Sequence, residues 1–252
     1  MPYIEEIVKA GKTIEVCKKH SHRYPGKKLP RGPNEKPTPE TVKKVNQRNA
    51  EAHLRRLINT NFGYQDIHLV LTYKKEKRPT PEEAKNDLEK FLRRLRTHFK
   101  KRGQELKYIA VTEYKNRAIH HHLIVSSMDT RDLTELWPHG QPRPTYLDKS
   151  GQYGQLASYL IKETSKTFDA PDGIHGKRWC ASRNLKQPKI ERRIISAKQW
   201  TKEPKPKKGY YIEKGSIRTG THELTGYPYQ FYRMIKITGN DGKEDNHEMH
   251  TG

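Results

Sequence analysis

RAIHHHLIVSS, residues 117–127, divides into two faces if it is extended, because alternate side chains of a strand point to opposite sides. Ile119, Leu123 and Val125 share one face with His121, while His120 and His122 share the other with Ile124. Two imidazoles two residues apart on one side of an apolar strand are spaced so that both can reach one metal ion. The same stretch taken alone also fits three surface histidines, or satisfied core histidines. A slip of one residue would exchange the faces and make His121 the ligand, but the period-2 apolar pattern argues against it.

Immediately upstream, Leu106–Tyr114 is a second strand, and Asn116-Arg117 is the turn that makes the two a hairpin. Ile109, Val111 and Glu113 share a face of that strand, so a tight turn places Glu113 near His120 or His122 across the ladder. Two imidazoles and a carboxylate suit a divalent cation with positions left open for substrate oxygens. Such mixed ligation accepts Mn²⁺ readily, with Mg²⁺ the alternative. Glu113 on its own is an ordinary surface acid.

Further out, Ile67–Tyr73, IHLVLTY, is nearly continuous in apolar content, as a central strand is. Thr80, Pro81 and Glu83 form a capping box. Behind it Ala84, Leu88, Phe91, Leu92, Leu95 and Phe99 make one apolar stripe, with Lys and Arg on the opposite side. Thr38-Pro39 opens another helix, with Val42, Val45, Leu54, Leu57 and Ile58 at helical spacing to about Asn59. After residue 127 come a short helix over 130–136, a short strand over 143–147 and a helix over about 154–166. The expected fold is α+β, a central antiparallel β-sheet with helices packed on one face. The other sheet face is then open for a ligand.

The 252 residues include 51 Lys and Arg against 29 Asp and Glu, a formal net charge of +22. Charge so lopsided attracts polyanions and makes nucleic acid the expected partner. No run approaches the roughly 18 to 20 apolar residues that span a bilayer, and the first ten residues lack the apolar core of a signal peptide. No membrane partner is expected, and the location is expected to be cytoplasmic. Cys17 and Cys180 give no disulfide framework, which fits a reducing compartment. Cys17 with His20 and His22 resembles half a zinc site, but no second ligand pair completes it.

On the helix over 154–166, Leu156, Ala157, Leu160, Ile161 and Thr164 cover the apolar side, and Tyr159, Lys162 and Lys166 fall on the other. Tyr153 projects to the apolar side and is a packing residue. A half-exposed surface tyrosine is the ordinary reading of Tyr159 alone. Beside lysines its hydroxyl can meet a phosphate, with Lys162 one turn on to stabilise the phenolate or the phosphate.

In combination these segments resemble the HUH endonucleases, specifically the rolling-circle replication initiators (Rep proteins) of plasmids, phages and integrated bacterial elements. LVLTY at Leu69–Tyr73 is similar to the family's first motif. His120 and His122 around a central residue resemble its second, with the departure that the normally apolar middle position is His121. Tyr159 with Lys162 resembles its third, a nucleophilic tyrosine with a lysine three residues on. The resemblance covers about residues 67–166 and implies a ferredoxin- or RRM-like nuclease fold. It also implies a metal held by His120, His122 and Glu113, and attack by Tyr159 that leaves a 5′-phosphotyrosine and a free 3′-OH. The substrate it implies is single-stranded or hairpin origin DNA. Residues 1–37 are then N-terminal strands and a basic arm, 38–168 the catalytic domain, and 169–252 a basic extension with a β-hairpin and a disordered end. No P-loop motif occurs, so unwinding would need a host helicase and the host replication machinery. A relaxase or single-tyrosine transposase of the same chemistry, and a non-catalytic DNA- or RNA-binding module, are the alternatives. Oligomeric state is not legible.

Overall fold

In the computed structural model, residues 2–20, 23–24, 27–28, 37–115, 118–168 and 178–238 are described. Most of the basic arm, the Asn116-Arg117 turn and the polar end after residue 238 lie outside the described residues. The chain divides into two units. One is Thr38–Pro188, and the other joins Met1–Pro37 to Lys189–Gly252.

Along the chain, β1 (Tyr3–Ala10) and β2 (Thr13–Lys19) form a hairpin, followed by the short pair β3 (Arg23–Tyr24) and β4 (Lys27–Lys28). Gly11 takes the positive φ of 58° that the β1–β2 turn requires. The larger unit then runs α1 (Pro39–Asn61), β5 (Ile67–Leu71), α2 (Pro81–Lys101), β6 (Tyr108–Lys115), β7 (Ala118–Val125), α3 (Leu133–Leu136), β8 (Pro142–Tyr146), α4 (Gly154–Phe168) and β9 (Cys180–Ala181). Its sheet order is β8-β5-β7-β6-β9, every neighbour antiparallel. The fold is α+β around an antiparallel sheet, with elements in the order the sequence predicts.

The remaining strands, β10 (Lys189–Ile195), β11 (Tyr210–Ile212), β12 (Arg218–Thr221) and β13 (Pro228–Lys236), complete the other unit. Its sheet order is β10-β1-β2-β13-β11, with β12 also paired to β13. The two terminal stretches thus share one sheet. β2 finds its second neighbour in β13 and β1 in β10, because a hairpin alone leaves both edges unpaired.

Local chemistry sets the helix boundaries. Thr38 accepts from the Thr41 amide at 3.2 Å to open α1. At α2 the capping box is complete, with Glu83 N donating to Thr80 Oγ1 at 3.3 Å and Thr80 N donating to Glu83 Oε2 at 2.7 Å. The α2 stripe of Leu88, Phe91, Leu92, Leu95 and Phe99 packs on Ile67, Leu69, Leu71, Ala110, Leu123 and Val125, with the fully buried Trp137 beside them.

The helices occupy both sheet faces rather than one. On the face opposite α2, Leu54, Leu57 and Ile58 of α1 and Ala157, Leu160 and Ile161 of α4 pack on Ile109, Val111 and Ile124. The face expected to be open is therefore largely a second core, since these apolar stripes bury each other at about 25 cal/mol per Å². Along that face the apolar residues give way to His120, His122 and Glu113, of which only His120 is partly exposed.

Candidate active site

The hairpin register determines which side chains can meet. Glu113 pairs with His120, Thr112 with His121 and Val111 with His122. His120, His122 and Glu113 therefore project to the α1/α4 face, and His121 to the α2 face.

His121 is fully buried. One ring nitrogen lies 2.9 Å from Thr112 Oγ1 and the other 3.0 Å from Tyr73 Oη. The Trp137 ring stands edge-on to it, with centroids 5.8 Å apart. Burial, followed by the neighbouring histidines, holds its pKa down to about 3, so it is neutral. It is a satisfied core histidine, and Tyr73 of the LVLTY stretch serves as its partner.

On the other face His122 Nε2 donates to Glu113 Oε2 at 2.8 Å, and both side chains are only 3% exposed. Burial first, then His120, lowers the His122 pKa to about 4, while Glu163 opposes the shift. A neutral His122 gives Glu113 a hydrogen bond rather than a full positive charge.

α4 brings Tyr159 to this pair. Its ring stands edge-on to His122, with centroids 5.5 Å apart and planes at 78°, and it remains 42% exposed. Its phenol pKa is raised by burial and then by the charges of Glu113 and Glu163. Tyr159 is therefore firmly protonated at neutral pH, and a nucleophilic role would call for added positive charge or a base. Lys162 is exposed and makes no hydrogen bond or ion pair among the described residues. The Lys166 side chain lies outside the described set. Tyr153 is buried and donates to the Asp148 carbonyl at 2.9 Å, as a packing residue does.

Two residues join this site without having been singled out in the sequence. Glu163 is 7% exposed and one turn beyond Tyr159, close enough for its charge to act on both Tyr159 and His122. The i,i+4 spacing from Tyr159 was the available signal. His68, on β5, places Nε2 3.4 Å from His122 Nδ1. Its signal was a polar residue inside an otherwise apolar strand.

The expected metal ligands can be tested on this geometry. Among the described residues no group of three or more His, Cys, Asp or Glu side chains is arranged to hold a metal ion. The donor chemistry nevertheless fits. Two adjacent ligands of an octahedral ion, each at about 2.1 Å, lie about 3 Å apart, close to the 2.8 Å between His122 and Glu113. Reorientation rather than separation would let these two share a cation, and His120 stands directly across the ladder from Glu113.

Residues 66–168 match the family model of the replication-associated protein ORF2/G2P. The resemblance to rolling-circle replication initiators thus holds at the level of this family, and the role it supports is a replication-associated one. The ORF2/G2P match takes in Glu113, His120, His122, Tyr159 and Lys162, along with His68 and Glu163. No curated protein and no solved structure gives a significant match. Among the described residues no helix is long and apolar enough to cross a membrane.

Proposed function

We propose that the chain is a metal-dependent, site-specific endonuclease and strand transferase for single-stranded DNA, which nicks an origin to start rolling-circle replication. The observation that carries this reading is the convergence of Tyr159, from α4, on the His122–Glu113 pair of the hairpin. A half-exposed tyrosine set against a buried imidazole and a buried carboxylate, drawn from three elements, forms a reacting centre rather than a core. The net charge of +22 supports a DNA substrate.

In this mechanism Tyr159 Oη attacks the scissile phosphorus in line. The bond to the 3′ oxygen breaks, that oxygen takes up a proton, and the phosphate stays on the tyrosine as a 5′-phosphotyrosine. The covalent link conserves the phosphodiester for later rejoining. His120, His122 and Glu113 would hold the divalent cation, Mn²⁺ or Mg²⁺. When bound, it supplies Lewis-acid polarisation of the phosphate and orients it. Glu113 and Glu163 raise the phenol pKa through their charges, which a bound cation would offset. Lys162, one turn from Tyr159, is free to pair with the incoming phosphate. Origin DNA, single-stranded or extruded as a hairpin, is the proposed partner, with a host helicase for unwinding.

A non-catalytic DNA-binding module is the second reading, favoured by the absence of a ready three-donor group among the described residues. One assay separates the two. Labelled single-stranded origin DNA and Mn²⁺ are incubated with the protein, and a denaturation-resistant adduct is sought. Adduct formation by the native chain, lost in Tyr159→Phe while DNA binding persists, is the expected result. Continued capture by Tyr159→Phe would refute the nucleophile, and no adduct with any candidate origin would favour the binding module.

A further inference from the structure

His68 and His122 meet in an unusual way. Their rings are parallel to within 13°, with centroids 5.6 Å apart and facing nitrogens 3.4 Å apart. At that centroid distance the rings cannot lie face over face. The line between the two nitrogens runs nearly along the line joining the ring centres, so the imidazoles lie edge to edge, nitrogen pointing at nitrogen. A metal ion held in line between them would need about 4 Å, twice a normal metal–imidazole bond. The gap therefore takes a proton and not a metal, and it is a long hydrogen bond. In the ladder His68 pairs with Ile124 and Val70 with His122, which makes His68 the diagonal neighbour of His122 on the α1/α4 face.

We propose that His68 is a positioning residue for His122, holding its ring so that Nε2 is presented to Glu113 and to whatever Glu113 and His122 bind together. The inference rests on the site assigned under Proposed function.

The hydrogen-bond inventory explains why a histidine suits this position. With His122 Nε2–H donating to Glu113, His122 Nδ1 must accept, and His68 Nε2–H donates. If His122 Nε2 instead offers its lone pair to a cation, its proton resides on Nδ1, and His68 must accept at Nε2 with its own proton on Nδ1. Each ring carries one N–H before and after, so no proton is gained or lost. A neutral imidazole is donor at one nitrogen and acceptor at the other, and tautomerisation lets His68 serve in both arrangements. Ligating histidines generally need such a partner on the second nitrogen.

The test uses the full chain with His68→Leu, which deletes the partner, and His68→Gln, whose amide can donate or accept from a similar position. Long-range proton–nitrogen NMR of ¹⁵N-histidine protein reports the His122 tautomer without metal. Mn²⁺ binding followed by electron paramagnetic resonance reports affinity without catalysis. Expected are a single Nε2–H tautomer of His122 in the native chain, a His122 Nδ1 resonance displaced in His68→Leu because that nitrogen loses its donor, Mn²⁺ binding weakened roughly 10- to 100-fold in that variant, and near-native values for both in His68→Gln. If His68→Leu fails to fold, His68→Asn, whose shorter amide falls short of His122, takes its place. An unchanged His122 spectrum in the Leu or Asn variant overturns the proposal, as does native Mn²⁺ affinity there. If the native chain itself binds no Mn²⁺, the metal assignment fails separately, and the His122 spectrum alone decides the role of His68.

Discussion

Mild acid should destabilise the Thr38–Pro188 unit, and His121 permits the size of the effect to be worked out. Its folded-state pKa is near 3, against an ordinary 6.5. Between those values the unfolded chain binds a proton that the folded chain does not, so stability is complete above about pH 6.5 and declines as the pH falls towards 3. At about 1.4 kcal/mol per pH unit, going from pH 7 to pH 5 removes about 2 kcal/mol through His121 alone. His68 and His122, each held near 4 chiefly by burial, add in the same direction. The assay is urea unfolding at pH 7 and pH 5, followed by tryptophan fluorescence, since the buried Trp137 lies against His121. The control is His121→Gln, which cannot titrate; carboxylates contribute equally to both proteins and cancel in the comparison. The native chain should lose about 2 kcal/mol more than the variant over that interval. Equal losses would refute the claim that His121 is buried neutral.

Other outcomes follow from the same geometry. Glu113→Gln keeps the shape but removes a buried carboxylate, so Mn²⁺ affinity should fall at least about tenfold and the Tyr159 phenol pKa should move down, as read by titration calorimetry and by ultraviolet titration against Tyr159→Phe. At Gly140 an added Cβ would stand 2.1 Å from the Thr72 carbonyl oxygen. Gly140→Ala must therefore push the turn off the end of β5, breaking the Lys74 N to His139 O bond of 3.0 Å, with a loss of about 1–3 kcal/mol measurable by thermal unfolding.

Much of the site was legible because strands and helices have fixed periods. Period 2 separated His121 from His120 and His122, and the expected hairpin pairing put Glu113 on the same face as the pair, as the register of β6 with β7 has it. Helical spacing identified Tyr153 as a packing residue for the same reason. Which residues stand near Tyr159 was not legible. Spacing placed Tyr159 on the polar side of its helix, but only the docking of α4 on β6 shows that this side borders His122. Glu163 and His68 carry only weak signals in the sequence, an i,i+4 spacing and one polar residue in an apolar strand, and these gain meaning only once another element is packed against them.

The division between the two levels is physical. Local sequence dictated the elements, since capping boxes, turn residues and apolar periodicity act within a few residues of one another. It also dictated the hairpin register and with it the face on which each histidine lies. Tertiary structure decided that α1 and α4 close the second sheet face and that the two ends of the chain share one sheet. It also brought His68 nitrogen to nitrogen with His122. Those outcomes depend on contacts between segments tens to hundreds of residues apart, which no window of sequence contains.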